Sequence, residues 1–263
     1  MRRKRHCAQG QLAGENKPCY TEFIENGMIR LDTGGMNVRK LIAIALMLMM
    51  LAAAALAEGD PGVIVQSSCS IVQSGEYYLV HCFAQVHNNS DQVLCLDEGS
   101  LYLKNGEDVI ASQETSQIWP YFLAPGEDGY LFDIVPFEQM PQITGLHYDA
   151  RYMEINAAYA GVPLETAVEV QLDDSSNALS VICEVSGDAH KAAYDPTVVM
   201  GLYTDAGQLV YSDGRNLKDV GIVPGGKLLV RFEVDPMLVE QWMSYGALPT
   251  QVRASSMFRT GSD

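Results

Sequence analysis

Positive charge is scarce in this chain. Its 263 residues include 17 Lys and Arg against 33 Asp and Glu, a net charge of −16. Binding to a phosphate backbone rests on clustered cations, so nucleic acid is excluded as the expected partner. Catalytic signatures are also missing: the sequence has no Gly-x-Ser-x-Gly, no phosphate loop and no His-Glu-x-x-His. Histidines are few and scattered. His81 and His87 fall on one face of a predicted strand, but six residues separate them by about 20 Å, too far to share a metal. His147 and His190 have no Cys or His at ligand spacing. All four read as outward-facing strand or loop residues. The adjacent acids Asp97-Glu98, Glu107-Asp108, Glu127-Asp128 and Asp173-Asp174 sit at predicted turns. Neighbours on a strand point to opposite faces, so these pairs do not make a glycosidase dyad. No catalytic residue, metal site or cofactor is expected, with calcium the one ion to keep in view. Beyond Ala57 the chain carries nine Lys or Arg against 29 Asp or Glu, and carboxylates suit that hard cation, yet no Asp-x-Asp-x-Asp loop occurs.

Long hydrophobic runs are absent except for one. Arg39-Lys40 is followed by an unbroken apolar stretch from Leu41 to Ala57, then by Glu58-Gly59-Asp60-Pro61. Two cations, an apolar stretch and the small-x-small end Ala55-Leu56-Ala57 make residues 36–57 a helical secretory signal peptide, cleaved between Ala57 and Glu58. A run of 17 residues also approaches a membrane span, so an uncleaved signal anchor is the alternative. Either way the chain from Glu58 onward is extracytoplasmic, and any membrane contact runs through this segment. Residues 1–35 lack apolar periodicity and read as a disordered upstream leader, with Met36 as the start. Cys7 and Cys19 lie within it.

Cysteine is sparse in the exported part: Cys69, Cys82, Cys95 and Cys183. Cys82 and Cys183 fall on the inward faces of predicted strands and read as small hydrophobes. Cys69 and Cys95 remain as the candidate disulfide in an oxidising compartment, closing a loop worth about 3 kcal/mol.

What is present is a repeat. Tyr77 to Val86 alternates strictly, with Tyr78, Val80, Cys82, Ala84 and Val86 on one face, and Leu179 to Val185 alternates likewise. Ala84 to Pro125 and Cys183 to Pro224 are both 41 residues apart. Between them lie matching hairpins, Leu101 to Glu107 with Asn105-Gly106 and Leu202 to Gln208 with Asp205-x-Gly207. Leu123-Ala124-Pro125-Gly126 matches Ile222-Val223-Pro224-Gly225. The following strands end Phe132-Asp133-Ile134-Val135-Pro136 and Phe232-Glu233-Val234-Asp235-Pro236, offset by 100 residues. The second copy then predicts a short helix near 236–245, capped by Asp235, opened by Pro236 and ended by Gly246, with Leu238 and Trp242 on one face. Strands near 146–153 and 251–258 close the units. The expected fold is all-β, two tandem immunoglobulin-like antiparallel β-sandwiches over 58–160 and 161–263, with a single barrel as the alternative.

The order of strand, turn, Leu-Tyr strand, Gly hairpin and Pro-Gly turn resembles the FxLYD group of secreted bacterial immunoglobulin-like domains. Met200-Gly201-Leu202-Tyr203-Thr204 stands where that group's naming motif lies, and the other copy keeps Leu101-Tyr102. The resemblance implies an extracytoplasmic interaction module and brings no catalytic residues with it. Ile118-Trp119-Pro120-Tyr121-Phe122 supplies candidate contact residues. Tyr121 and Leu123 align with Val220 and Ile222, which places them in the core, whereas Trp119 aligns with Lys218. Trp119 is therefore either exposed as a contact anchor or packed on the other module. The function expected is a secreted, non-catalytic protein that presents an acidic surface with Trp119, Tyr121 and Phe122 to a protein or cell-surface macromolecule. The alternatives are a hydrolase or other enzyme with a carboxylate site where the modules meet, and a calcium-dependent adhesive module.

Overall fold

The structure is a computed structural model that describes residues 61–115, 118–173, 177–188 and 190–258. The leader, the signal segment and the Ala57–Glu58 cleavage site lie outside the described residues, as do Cys7, Cys19 and Asp174. No helix among the described residues is long and apolar enough to cross a membrane.

The fold is mostly β, built of antiparallel sheets. Strands β1 (Gly62–Ser74) and β2 (Tyr77–Asn88) form a hairpin across Gly75, whose φ of 62° lies in the region glycine tolerates. Strands β3 (Val93–Asn105) and β4 (Asp108–Glu114) turn at Gly106 in the same way. Then come β5 (Ile118–Trp119), β6 (Asp128–Phe137) and β7 (Gly145–Ile155). The order β1-β2-β6-β5 makes one sheet and β4-β3-β7 another. Val80, Cys82, Ala84 and Leu131 from the first pack against Leu101, Leu103, Leu146 and Tyr148 from the second in one core. The alternation of β2 gives this core its inward face, as the sequence predicts.

The second half repeats the pairing scheme. Its strands are β8 (Val162–Asp173), β9 (Ala178–Ser186), β10 (Ala193–Tyr194), β11 (Thr197–Tyr203), β12 (Leu209–Asn216), β13 (Gly221–Ile222), β14 (Lys227–Glu233) and β15 (Gln251–Phe258). Here β9 lies between β8 and β14, and β11 between β12 and β15, as β2 lies between β1 and β6 and β3 between β4 and β7. The bridge Ala193↔Ile222 has its counterpart in Leu94↔Leu123. Strand β8 pairs with β15 through Val162 to Leu164 and with β9 from Glu165 on, which joins six strands in the order β12-β11-β15-β8-β9-β14.

Helix α1 (Pro236–Tyr245) forms where the sequence places it. Asp235 accepts a hydrogen bond from the Met237 amide, Pro236 opens the first turn, and Gly246 ends the helix at a φ of 64°. Leu238, Val239 and Trp242 are buried in the second core.

One expectation fails. Strands with a single buried face are read from the alternation, but β2 is buried on both sides from Val80 to Val86. Phe83, with Val72 of β1 and Tyr130 of β6, belongs to the second half's core cluster rather than the first. The outer face of the β1-β2-β6 sheet is therefore partly covered by β12, β11 and α1: Val72, Phe83 and Tyr130 become core, while Phe132 and Ile134 of β6 stay more than a third exposed.

Candidate functional site

The joint between the halves follows from the outward residues of β1, β2 and β6. Phe83 stacks on Phe132 at 5.3 Å and meets Tyr211 of β12 at 5.4 Å between ring centroids. Around this apolar contact lie polar groups that burial obliges to pair. Ser68 donates to the Leu209 carbonyl at 2.6 Å, and the Leu209 amide donates to Gln66 Oε1 at 2.8 Å. Gln85 Oε1 accepts from Gln66 Nε2 at 2.7 Å and from the Tyr203 hydroxyl at 3.2 Å. Its Nε2 donates to Asp128 Oδ2 at 2.8 Å. The hydroxyls of Tyr130 and Tyr203 lie 2.9 Å apart, Gln241 of α1 donates to the Ile71 carbonyl at 2.8 Å, and Arg253 covers the Tyr203 ring at 4.6 Å. Two glycines give the halves close approach: a Cβ on Gly201 would meet the Tyr130 ring at 2.9 Å, and one on Gly214 would meet Trp119 at 2.5 Å.

That last contact decides the position of Trp119. It packs on Gly214 and the second core instead of serving as an open anchor. Tyr121, expected in the core beside Leu123, is 47% exposed, while Leu123 is fully buried. Strand β5 ends at Trp119 and the chain beyond it is irregular, and Val220, the residue whose match placed Tyr121 inward, is itself only half-buried. Phe122 is half-buried and contacts Tyr121 edge-on at 4.8 Å and Tyr159 at 5.6 Å. Tyr159 stands in the single-turn helix Ala157–Tyr159 between the halves and is 53% exposed. Sequence reading missed it as a site residue. These three rings border a shallow pocket with Gly161, Thr197, Met257 and Phe258. It has about 20 Å³ of room, enough for one water-sized group and too little for a small-molecule substrate.

The other candidate groups do not assemble into a reaction centre. His81, read as outward and exposed, is 3% exposed in the joint, near Phe83 and Phe132. Neither ring nitrogen has a hydrogen-bond partner, and Asp235 Oδ2 lies 3.7 Å from Nε2. Burial holds the imidazole below its ordinary value of 6.5, and the Asp235 carboxylate pulls it weakly the other way. The folded protein thus keeps the ring neutral, and the unfolded chain takes up the proton first as pH falls. Stability from this group is complete above about pH 6.5 and is lost as pH drops through the lower folded value. The urea midpoint is expected to fall between about pH 7.5 and pH 5, and to fall less in His81→Phe. Equal losses in the two proteins would remove His81 as a cause.

His87 and Asp128 form a half-exposed pair at 2.8 Å, but among the described residues no hydroxyl or thiol is bonded to the other ring nitrogen, so a nucleophilic triad is not built. Asp133 faces into the first core, where Thr115 and Gln113 donate to it at 2.9 and 3.2 Å and burial pushes its carboxyl up. Among the acidic pairs, Glu98 binds Arg151, Glu127 accepts from the Ala124 amide, and Glu107 and Asp108 lie at the β3–β4 turn. No group of three or more His, Cys, Asp or Glu able to hold a metal occurs among the described residues.

Cys82 and Cys183 are fully buried, as expected of small hydrophobes. All four described cysteines are free, and the candidate Cys69–Cys95 bridge is not formed. On β3, Leu94 and Leu96 pack in the first core, which turns Cys95 to the opposite face, whereas Cys69 packs against that core.

No family model matches the chain, and no curated protein does. Among solved structures, one similar chain is the secreted serine protease VesC from Vibrio cholerae, at 10% sequence identity and a TM-score of 0.16. The match covers 74% of this chain and 47% of that one, so the chain spans about half its length. A likeness this slight carries no argument about fold or activity.

Proposed function

We propose that the chain is a secreted, non-catalytic recognition protein made of two immunoglobulin-like modules of the FxLYD kind, exported by the segment 36–57. In this reading the modules are locked through the buried face of β2 and present one fixed surface to a protein or another macromolecule of the cell exterior. Support for two copies of one module comes from the repeated strand partners and from the paired bridges Leu94↔Leu123 and Ala193↔Ile222. The observation that carries the recognition role is the half-open cluster of Tyr121, Phe122 and Tyr159, placed where the two halves meet. Rigid aromatic side chains offer large contact area at small entropic cost, and a shallow site suits a macromolecular surface better than a small ligand. The acidic chain selects against anionic surfaces.

The test is binding of the purified protein to immobilised proteins and polysaccharides from the cell exterior. Tyr121→Ser combined with Tyr159→Ser is expected to weaken binding by about 30-fold, the effect of losing roughly 2 kcal/mol of aromatic contact. Both rings are half in water, so the unfolding free energy from urea titration should stay within about 0.5 kcal/mol of the parent. Unchanged binding in the double variant, or a turnover abolished by a single carboxylate or histidine substitution, would overturn the proposal.

A further inference from the structure

Two cysteines that the sequence does not bring together lie opposite each other. Cys69 of β1 pairs with Cys82 of β2 in the antiparallel register, and both side chains pack in the first core. The register decides how close they come. Ser74 and Tyr77 close the two-residue loop Gly75-Glu76, and the closing pair of such a loop is a hydrogen-bonded pair. Antiparallel pairs alternate between hydrogen-bonded and non-hydrogen-bonded sites, and no register shift interrupts the ladder between Ser74 and Cys69. Counting back through Gln73, Val72, Ile71 and Ser70 puts Cys69 and Cys82 at a non-hydrogen-bonded site. There the Cα atoms stand about 4.5 Å apart with the side chains at their nearest, at the short end of the range a disulfide spans.

We infer that Cys69 and Cys82 form a cross-strand dithiol that closes to a disulfide when the protein folds in the presence of a disulfide oxidant. One thiolate attacks a sulfur of the oxidant, forms a mixed disulfide and expels one thiol. The second thiolate then attacks the protein-bound sulfur and expels the other. Two S–H groups are lost, one S–S bond forms, and the oxidant is reduced to two thiols. Burial pushes the Cys69 thiol up to about 12 and the Cys82 thiol upward as well, so neither is an active thiolate in the closed protein. The bond therefore forms during folding, or while β1, an edge strand of its sheet, is parted from β2. Once formed it ties that edge strand to the strand that carries the joint. The inference does not depend on the proposed binding role.

The experiment is refolding of the reduced full chain in a mixture of reduced and oxidised glutathione, followed by denaturation, alkylation and peptide mapping by mass spectrometry. The expected product is a Cys69–Cys82 linkage, with Cys95 and Cys183 alkylated. Cys95→Ala should retain the linkage and Cys69→Ser should lose it. Mapping of the parent protein decides the matter even where a substituted chain fails to fold. Alkylation of both Cys69 and Cys82 after oxidative refolding, or a linkage of either one to Cys95, would overturn the inference. Peptide mapping reads no ligand, so its failure is separate from failure of the recognition role.

Discussion

Phe83→Ala is expected to destabilise the protein by about 3–5 kcal/mol, the cost of truncating a fully buried aromatic side chain. By position Phe83 belongs to the first half, yet its ring lies in the second half's core cluster, between Phe132 and Tyr211. Removing it withdraws the apolar centre of the joint and leaves a cavity under the polar rim of Gln66, Ser68 and Gln85. Phe132 is 36% exposed, so Phe132→Ala should cost less than Phe83→Ala. Urea unfolding at about pH 7 measures both. A loss below about 1 kcal/mol for Phe83→Ala would mean that the outer face of β2 is open to water in solution.

Trp242→Ala should have a comparable effect, about 3–5 kcal/mol, and for a separable reason. The ring is fully buried on α1, edge-on to Tyr211 with centroids 6.5 Å apart, and its Nε1–H has no hydrogen-bond partner. That N–H carries a desolvation cost of about 1–3 kcal/mol that Phe does not have. Trp242→Phe should therefore cost less than half of what Trp242→Ala costs, because the smaller ring fills most of the space and removes the unpaired donor. Equal losses for the two variants would show that the indole nitrogen is bonded in solution.

What the sequence made legible was local. The turns at Gly106, Gly126, Gly207 and Gly225 all take positive φ, and the cap, opening proline and terminating glycine of α1 stand where their chemistry predicts. These signals work because each depends on a few consecutive residues. The joint depends on surfaces far apart in the chain, and the alternation of β2 pointed away from it. A signal was nonetheless present: Leu79 to Val86 is apolar on both faces except at His81 and Gln85, which is the pattern of a strand covered on both sides. Both exceptions proved to be buried, Gln85 within a hydrogen-bonded network and His81 beside a carboxylate. Tyr121 was misplaced because the copy-to-copy match took its partner Val220 as core, whereas both lie in irregular chain and Val220 is itself only half-buried. The Cys69 and Cys82 pairing was readable from the Gly75-Glu76 turn, which fixes the register, but only once that turn is known to hold two residues.

The two tryptophans offer the most direct test of a structure whose halves share one buried face. Trp119, carried on β5 of the first half, packs on the second core and reports from the joint, and Trp242 reports from the second half. With tryptophan excited selectively, Trp119→Phe leaves the signal of the second half and Trp242→Phe leaves that of the joint. Urea unfolding of each variant, followed by fluorescence and by far-ultraviolet circular dichroism together, is predicted to give one transition with coincident midpoints for both signals. A fluorescence midpoint displaced from that of the circular dichroism in either variant, with one half melting before the other, would contradict the shared core.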